Sequence, residues 1–196
     1  MRRSCLIFGA GVLAVLSACS SIHIKTGPPT DEETLQQSEE QGRRFRVTWT
    51  DRLERAGPVD RAEMMRALLD STTSRFLRFG HQIADWWRDE NDRRGVQIPV
   101  EQIRPAAERS SQFDLPLLEA YEDVVEYGVQ TVLEENFFDE TAERALTQYR
   151  DHYNEVYSTV FFPNGTLEEF RLLLQTLEAQ ALSLSRDLGD QIARYR

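Results

Sequence analysis

The sequence predicts an all-α fold, an antiparallel bundle of about five helices standing on a short tether. Three observations lead there. Apolar residues recur at steps of three and four through most of the chain beyond residue 30. Ser, Thr or Asp followed three residues later by Glu precedes several of these runs, as at helix starts. The connections between runs are short and carry Gly, Pro or Asn. Long amphipathic helices with short links bury their apolar stripes best against one another. Their spacing favours packing at about 20°.

The first 18 residues stand apart from this pattern. Arg2 and Arg3 supply positive charge, and Leu6 to Leu16 is apolar and uncharged. The run is too short to span a bilayer and has the grammar of a signal peptide. It ends in Leu16-Ser17-Ala18-Cys19. This stretch resembles the lipobox of bacterial lipoproteins. The resemblance implies cleavage before Cys19, whose sulfur and new amino group are then acylated, palmitate being the usual acyl group. A thiolate is the nucleophile that such chemistry needs. Ser20, where an Asp would imply retention at the inner membrane, implies export to the outer membrane. The expected location is the bacterial envelope, facing the periplasm.

Residues 19–196 would form the mature chain, with 21 basic and 33 acidic side chains and a formal charge of −12. Such a chain repels nucleic acid and anionic lipid head groups. Attachment to the bilayer is therefore expected from acyl chains on Cys19, at about 0.8 kcal/mol per buried methylene. Cys5 leaves with the signal and Cys19 is acylated, so no disulfide is expected and the core must hold the fold alone.

Residues 19–30 are polar and end in Gly27-Pro28-Pro29, a tether. The domain is expected over 31–196. Thr30 with Glu33 forms a capping box for a helix over about 31–55, with Leu35, Phe45, Trp49 and Leu53 on its apolar face. Phe45, Val47 and Trp49 also alternate, as do Val96, Ile98 and Val100, so pairing of 44–50 with 96–100 as two strands is the alternative. Gly57-Pro58 ends the first helix. Asp60 with Glu63 suggests a cap for the longest one, reaching about Asp92. Its inward residues are Met65, Leu68, Leu69, Thr72, Phe76, Phe79, Ile83, Trp86 and Trp87. Gly95 and Pro99 break it. A short helix fits 100–111, with Pro105 as a kink or boundary.

Asp114-Leu115-Pro116 opens the next helix, to about Glu135, with Leu117, Tyr121, Val124, Val125, Gly128 and Val132 on one face. Gly128 invites a close neighbour. Asp139 caps a helix over about 139–160 that turns Ala142, Leu146, Tyr149, Tyr153, Val156 and Val160 inward. Phe161 to Gly165 is a turn. Thr166 with Glu169 is a capping box for the last helix, to about Ala193.

Several constellations could carry function. Leu167, Phe170, Leu174, Leu177, Ala181, Leu184 and Leu188 form a heptad seam, either the inner face of the bundle or a coiled-coil surface for a partner. The spacing favours the inner face. His81 and Asp85 stand at i and i+4, the geometry that orients a catalytic imidazole, but lie opposite the apolar stripe among Arg75, Arg78 and Arg88. They are expected as a surface pair. Glu119, Glu122, Asp123 and Glu126 make an acidic stripe facing water. His152 with Glu155 is the lone His-x-x-Glu, on a flank of its helix. Helical di-iron sites need inward Glu and Glu-x-x-His motifs, which the sequence lacks. Trp86 with Trp87 could shelve a ligand, although core burial explains both. Phe137-Phe138 and Phe161-Phe162 are expected to plug opposite ends of the bundle.

No G-x-S-x-G, P-loop or haem motif follows Cys19, and the Gly9-Ala10-Gly11 stretch lies in the signal. The expectation is a lipoprotein acting by contact with an envelope protein, as scaffold or assembly factor, with no catalytic residue, metal or cofactor. Two alternatives stand beside it. One is a carrier of an apolar ligand near Trp86, Trp87 and the tyrosines. The other is an enzyme or metal protein using His81, Asp85 or His152.

Overall fold

The computed structural model describes residues 32–111 and 115–196, with the backbone alone for residues 32–35, 106–111 and 115. The lipobox, the tether, Thr30 and Asp114 lie outside the described residues. Six helices follow one another: α1 (Glu32–Arg55), α2 (Pro58–Arg94), α3 (Val100–Ser111), α4 (Leu115–Glu134), α5 (Glu140–Phe161) and α6 (Leu167–Ala193). There is no strand among the described residues, and the fold is an all-α bundle.

The strand alternative fails for a visible reason. Phe45, Trp49 and Leu53 are buried one turn apart, while Val47 between them is 65% exposed. A strand would place Val47 on the same face as these three, whereas a four-residue step on a helix groups them and turns Val47 away. Residues 96–99 form a tight connection instead. Gly95, at φ 66°, ends α2 and donates its N–H to the Asn91 carbonyl. The Asn91 side chain accepts from the Ile98 N–H at 2.7 Å and donates to Gln97 at 3.0 Å. Trp87 Nε1 donates to the Ile98 carbonyl at 2.9 Å.

α2 is the spine. Its 37 residues make it about 55 Å long by helical rise. It packs against α4, α5 and α6, while α1 lies mainly on α4 and α3 touches α5. α2 starts at Pro58, with Gly57 as N-cap and no side-chain cap, so Asp60 sits inside the first turn and does not cap it. Proline at the first position needs no N–H partner, which removes the demand for a capping side chain. Asp139 accepts from the N–H groups of Thr141 and Ala142, and Thr166 with Glu169 completes its capping box. These bonds hold both carboxyls below their ordinary range. Pro105 sits inside α3, which continues through it.

Directions follow from the contacts. Arg66 reaches Ser185, and a Cβ on Gly80 would meet Leu174, so α2 and α6 run antiparallel. Arg75 meets Tyr121, while Met65 lies against Gly128, so α2 and α4 are antiparallel too. Both antiparallel pairs join helices that are not consecutive in the chain. Two other packed pairs run parallel. Gly42 faces Pro116 and Leu53 faces Gly128 between α1 and α4. Asp70 meets Tyr149 and Gly80 faces Val160 between α2 and α5. At Gly42 a Cβ would stand 2.7 Å from the Pro116 carbonyl oxygen, and at Gly128 it would run into the Met65 side chain. Both glycines exist for close helix approach.

One core joins all six helices. Rings of Phe76, Tyr153, Tyr157 and Phe161 interlock at centroid distances of 4.7 to 5.7 Å. On α6, Phe170, Leu174, Leu177, Ala181 and Leu188 are buried and Leu184 packs partly against the core, so the seam is the inner face of the bundle. Leu177 is wholly buried. Leu177→Ala should therefore cost about 2–5 kcal/mol. Urea unfolding is expected to show a lower midpoint at unchanged oligomeric state; an unchanged midpoint would place Leu177 outside the core.

Candidate functional site

The predicted site residues scatter. His81 does not pair with Asp85. It lies half-exposed between α2 and α6, with Nε2 3.7 Å from a Glu178 carboxylate oxygen. Asp85 meets Arg88 at 3.1 Å on the outer surface. The expectation of an i,i+4 pair opposite the apolar stripe is thus corrected. The α2 stripe is wide enough, with Leu77, Gly80 and Ala84 also buried, that His81 falls on its α6 edge.

His152 keeps its flank of α5, but α6 covers that flank. It is buried at the α5–α6 contact, where Nε2 lies 3.0 Å from the Leu177 carbonyl oxygen. A carbonyl only accepts, so Nε2 carries the proton and donates. Nδ1 is 3.7 Å from Glu155. Burial pushes the imidazole below its ordinary pKa, opposed by the Leu177 bond and the Glu155 charge. His152 is therefore a structural donor between two helices.

Glu119, Glu122, Asp123 and Glu126 are exposed, as their spacing predicts. Asp123 meets Arg46 at 2.6 Å, and Glu126 lies 3.8 Å from Arg150. Among the described residues, no three His, Cys, Asp or Glu side chains are grouped to hold a metal ion. Trp87 is core and Trp86 packs partly against it. Of the phenylalanine pairs, Phe138 and Phe161 are buried while Phe137 and Phe162 are exposed. Phe138 meets Tyr195 edge-on at 4.9 Å, which closes one end of the bundle with the C-terminus. The Tyr195 hydroxyl accepts from the Asp139 N–H at 2.8 Å.

Two polar arrangements escaped the sequence. The first is Arg61, almost wholly buried at the start of α2. Nε donates to the Leu53 carbonyl at 2.6 Å and another nitrogen to Ala56 at 2.9 Å, and the guanidinium pairs with Glu135. One side chain thus satisfies the last carbonyls of α1 and ties them to the end of α4. Nothing in the local sequence separates Arg61 from the many surface arginines.

The second is a groove of about 740 Å³ between α2 and α6, with α5 at its floor. Arg66, Asp70, Ser74, Arg78 and His81 follow along α2 at steps of three and four, and Glu178, Leu182, Ser185 and Arg186 line α6. At the floor the buried Tyr149 hydroxyl donates to Asp70. Burial first, then that bond, raises the phenol far above its ordinary pKa, so it stays a donor. Arg66 is committed within the protein, to Glu63 at 3.1 Å, Asp70 at 3.8 Å and Ser185 at 3.5 Å. The groove is open because Ser74 on α2 and Ala181 and Ser185 on α6 are small. That run of small residues along one edge of α6 was the available signal.

Compared with protein-family models, curated proteins and solved structures, the chain matches none.

The buried His152 makes stability depend on pH with a definite sign. Its pKa is lower folded than unfolded, where it is about 6.5. The unfolded state therefore binds more protons below pH 6.5, and stability falls as pH drops from about 6.5 towards the folded value. His152→Gln keeps a donor for Leu177 and removes the titration. Urea midpoints measured between pH 5 and 7.5 should fall more steeply on acidification for wild type than for H152Q. Parallel curves would show that His152 is not buried in its neutral form.

Proposed function

We infer that the protein is a lipid-anchored module of the bacterial envelope, held through acyl chains on Cys19 and facing the periplasm. It acts by contact with an envelope protein, as scaffold or assembly factor, without chemistry of its own. The anchor rests on the charged, apolar and small-residue order that ends in Leu16-Ser17-Ala18-Cys19. Among the described residues no helix is long and apolar enough to cross a membrane, which is compatible with attachment by acyl chains.

The observation that carries the contact reading is the employment of the nominated side chains in the bundle itself. His152 is spent on the Leu177 carbonyl. Trp87 is spent on the Ile98 carbonyl. Tyr121, Tyr153 and Tyr157 interlock with core rings. His81 and Asp85 point to separate partners. A working acid or base needs a partner aimed at a shared reacting atom, and these groups diverge.

Two measurements test the proposal separately. Intact mass should match residues 19–196 plus acyl groups, and Cys19→Ala should leave an unprocessed precursor; a different mature N-terminus would remove the anchor. Crosslinking in intact envelopes, followed by mass spectrometry, should give one reproducible adduct with a second envelope protein. Recovery of the monomer alone at every crosslinker length tried would contradict action by contact.

A further inference from the structure

Half of the exposed large apolar side chains stand at one end of the bundle, and the tether joins the bundle at that same end. α1 runs parallel to α4 with Gly42 beside Pro116, so Glu32 lies about 15 Å beyond the start of α4. Tyr121 of α4 meets Arg75 of the antiparallel α2, so Arg94 lies about 20 Å beyond the same level. The start of α1 and the finish of α2 therefore share one end. Direct contacts bring the other segments there. Trp87 donates to the Ile98 carbonyl at 2.9 Å, and its ring lies 6.3 Å from Phe170 in the first turn of α6. Arg104 of α3 donates to the Pro163 carbonyl at 2.9 Å in the α5–α6 turn. Among the described residues eight large apolar side chains are exposed. Four of them, Val96, Phe162, Leu172 and Leu173, belong to these segments and are 41% to 63% exposed. Residues 92–104 and 162–173 also carry four basic and four acidic side chains, a net charge of zero in a chain of −10.

We propose that this end of the bundle rests on the phospholipid bilayer, with Val96, Phe162 and Leu172 in the head-group region. The proposal rests on the acyl anchor at Cys19. Residues 19–31 are 13 residues long and span at most about 45 Å when fully extended. The anchor thus keeps this end close to the bilayer, while the opposite end stands about 55 Å away along α2. Groups held so near a surface meet it at high effective concentration, which favours lipid over any freely diffusing partner. Exposed apolar groups gathered at one place are typical of surfaces that meet a membrane. The balance of charge at this end removes the repulsion that the acidic remainder of the chain has for anionic head groups. A single acyl chain binds reversibly, and a second, apolar contact makes attachment firmer.

Fluorescence quenching tests it, on the full chain purified from membranes and reconstituted into phosphatidylcholine vesicles after its intact mass is measured. With Cys5 removed and Cys19 acylated, Val96→Cys, Phe162→Cys or Leu172→Cys supplies one free thiol for a nitrobenzoxadiazole label. Phe137→Cys labels the opposite end. All four positions are exposed, so the fold tolerates each change. In vesicles whose acyl chains are brominated, the labels at 96, 162 and 172 should shift to the blue and lose most of their emission. The label at 137 should emit as it does in plain lipid. Adding Phe162→Asp and Leu172→Asp to the Val96→Cys protein should abolish quenching at an unchanged melting temperature. Labels at 162 and 172 left unquenched on a protein that floats with the vesicles would overturn the docking and leave the anchor standing. A blue shift without quenching would overturn it as well and identify a protein, such as a second copy, as the cover. Equal quenching at 137 and 162 would overturn the end-on contact. A chain that lacks acyl groups and does not float would remove the anchor, and the docking with it.

Discussion

Burial of α2 on three sides is the constraint on which the rest of the structure depends. Met65, Leu68, Leu69, Phe76 and Ile83 are wholly buried along some five turns of this helix. No single neighbour could cover so wide a stripe, so α4, α5 and α6 each take one sector. A helix of this length has little stability from propensity alone in water and gains most of it from packing. The same width explains why polar residues at its edges are drawn inside. Thr72 is buried and returns its hydroxyl to the Leu68 carbonyl at 2.7 Å, and Asn91 is buried and fastens the following turn. The parallel pairing of α2 with α5 follows too, since both descend between ascending neighbours.

The ends of the bundle are closed by polar contacts of long sequence separation. Arg61 joins the carbonyl end of α1 to Glu135 after α4. Removing its charge would leave buried carbonyls and a carboxylate without a donor, a larger loss than an exposed ion pair suggests. Arg104 of α3 donates to the Pro163 carbonyl at 2.9 Å, tying the α3 segment to the α5–α6 turn. At the same end as Arg61, Tyr195 and Arg194 meet the residues around Asp139, and Arg194 pairs with it at 2.9 Å. The short turns are thereby fixed by side chains from elsewhere in the chain.

Much of the fold was legible because it is local. The α5 and α6 starts announce themselves through Asp139 and the Thr166–Glu169 box, and the α6 seam identifies its own inner face. The residues read as inward on α4 and α5 are all buried, and Leu118, Ala120, Val129 and Ala145 join them unread. What resisted reading depends on which helix lies beside which. His152 lies on a flank of α5 by its own helical wheel, yet α6 covers that flank, so it is buried. His81 falls at the edge of a stripe whose width is set by the number of neighbours. The alternation of Phe45, Val47 and Trp49 satisfied two periodicities, and only the exposure of Val47 between buried neighbours separates helix from strand. The groove was illegible for a similar reason. Ser74, Ala181 and Ser185 each look ordinary, and they form an opening only when α2 and α6 lie antiparallel at this register.

Stability should therefore be distributed unevenly. α2, with three partners, belongs to the last part of the molecule to open, whereas α1 rests mainly on α4 and can detach first. Native-state hydrogen exchange measures this directly. The account predicts that amides between Leu69 and Phe79 exchange only through global unfolding, with the highest protection in the chain, while amides of α1 between Phe45 and Leu53 exchange through a smaller, separate opening. Protection in the middle of α2 equal to or below that of α1 would contradict the role of α2 as the spine.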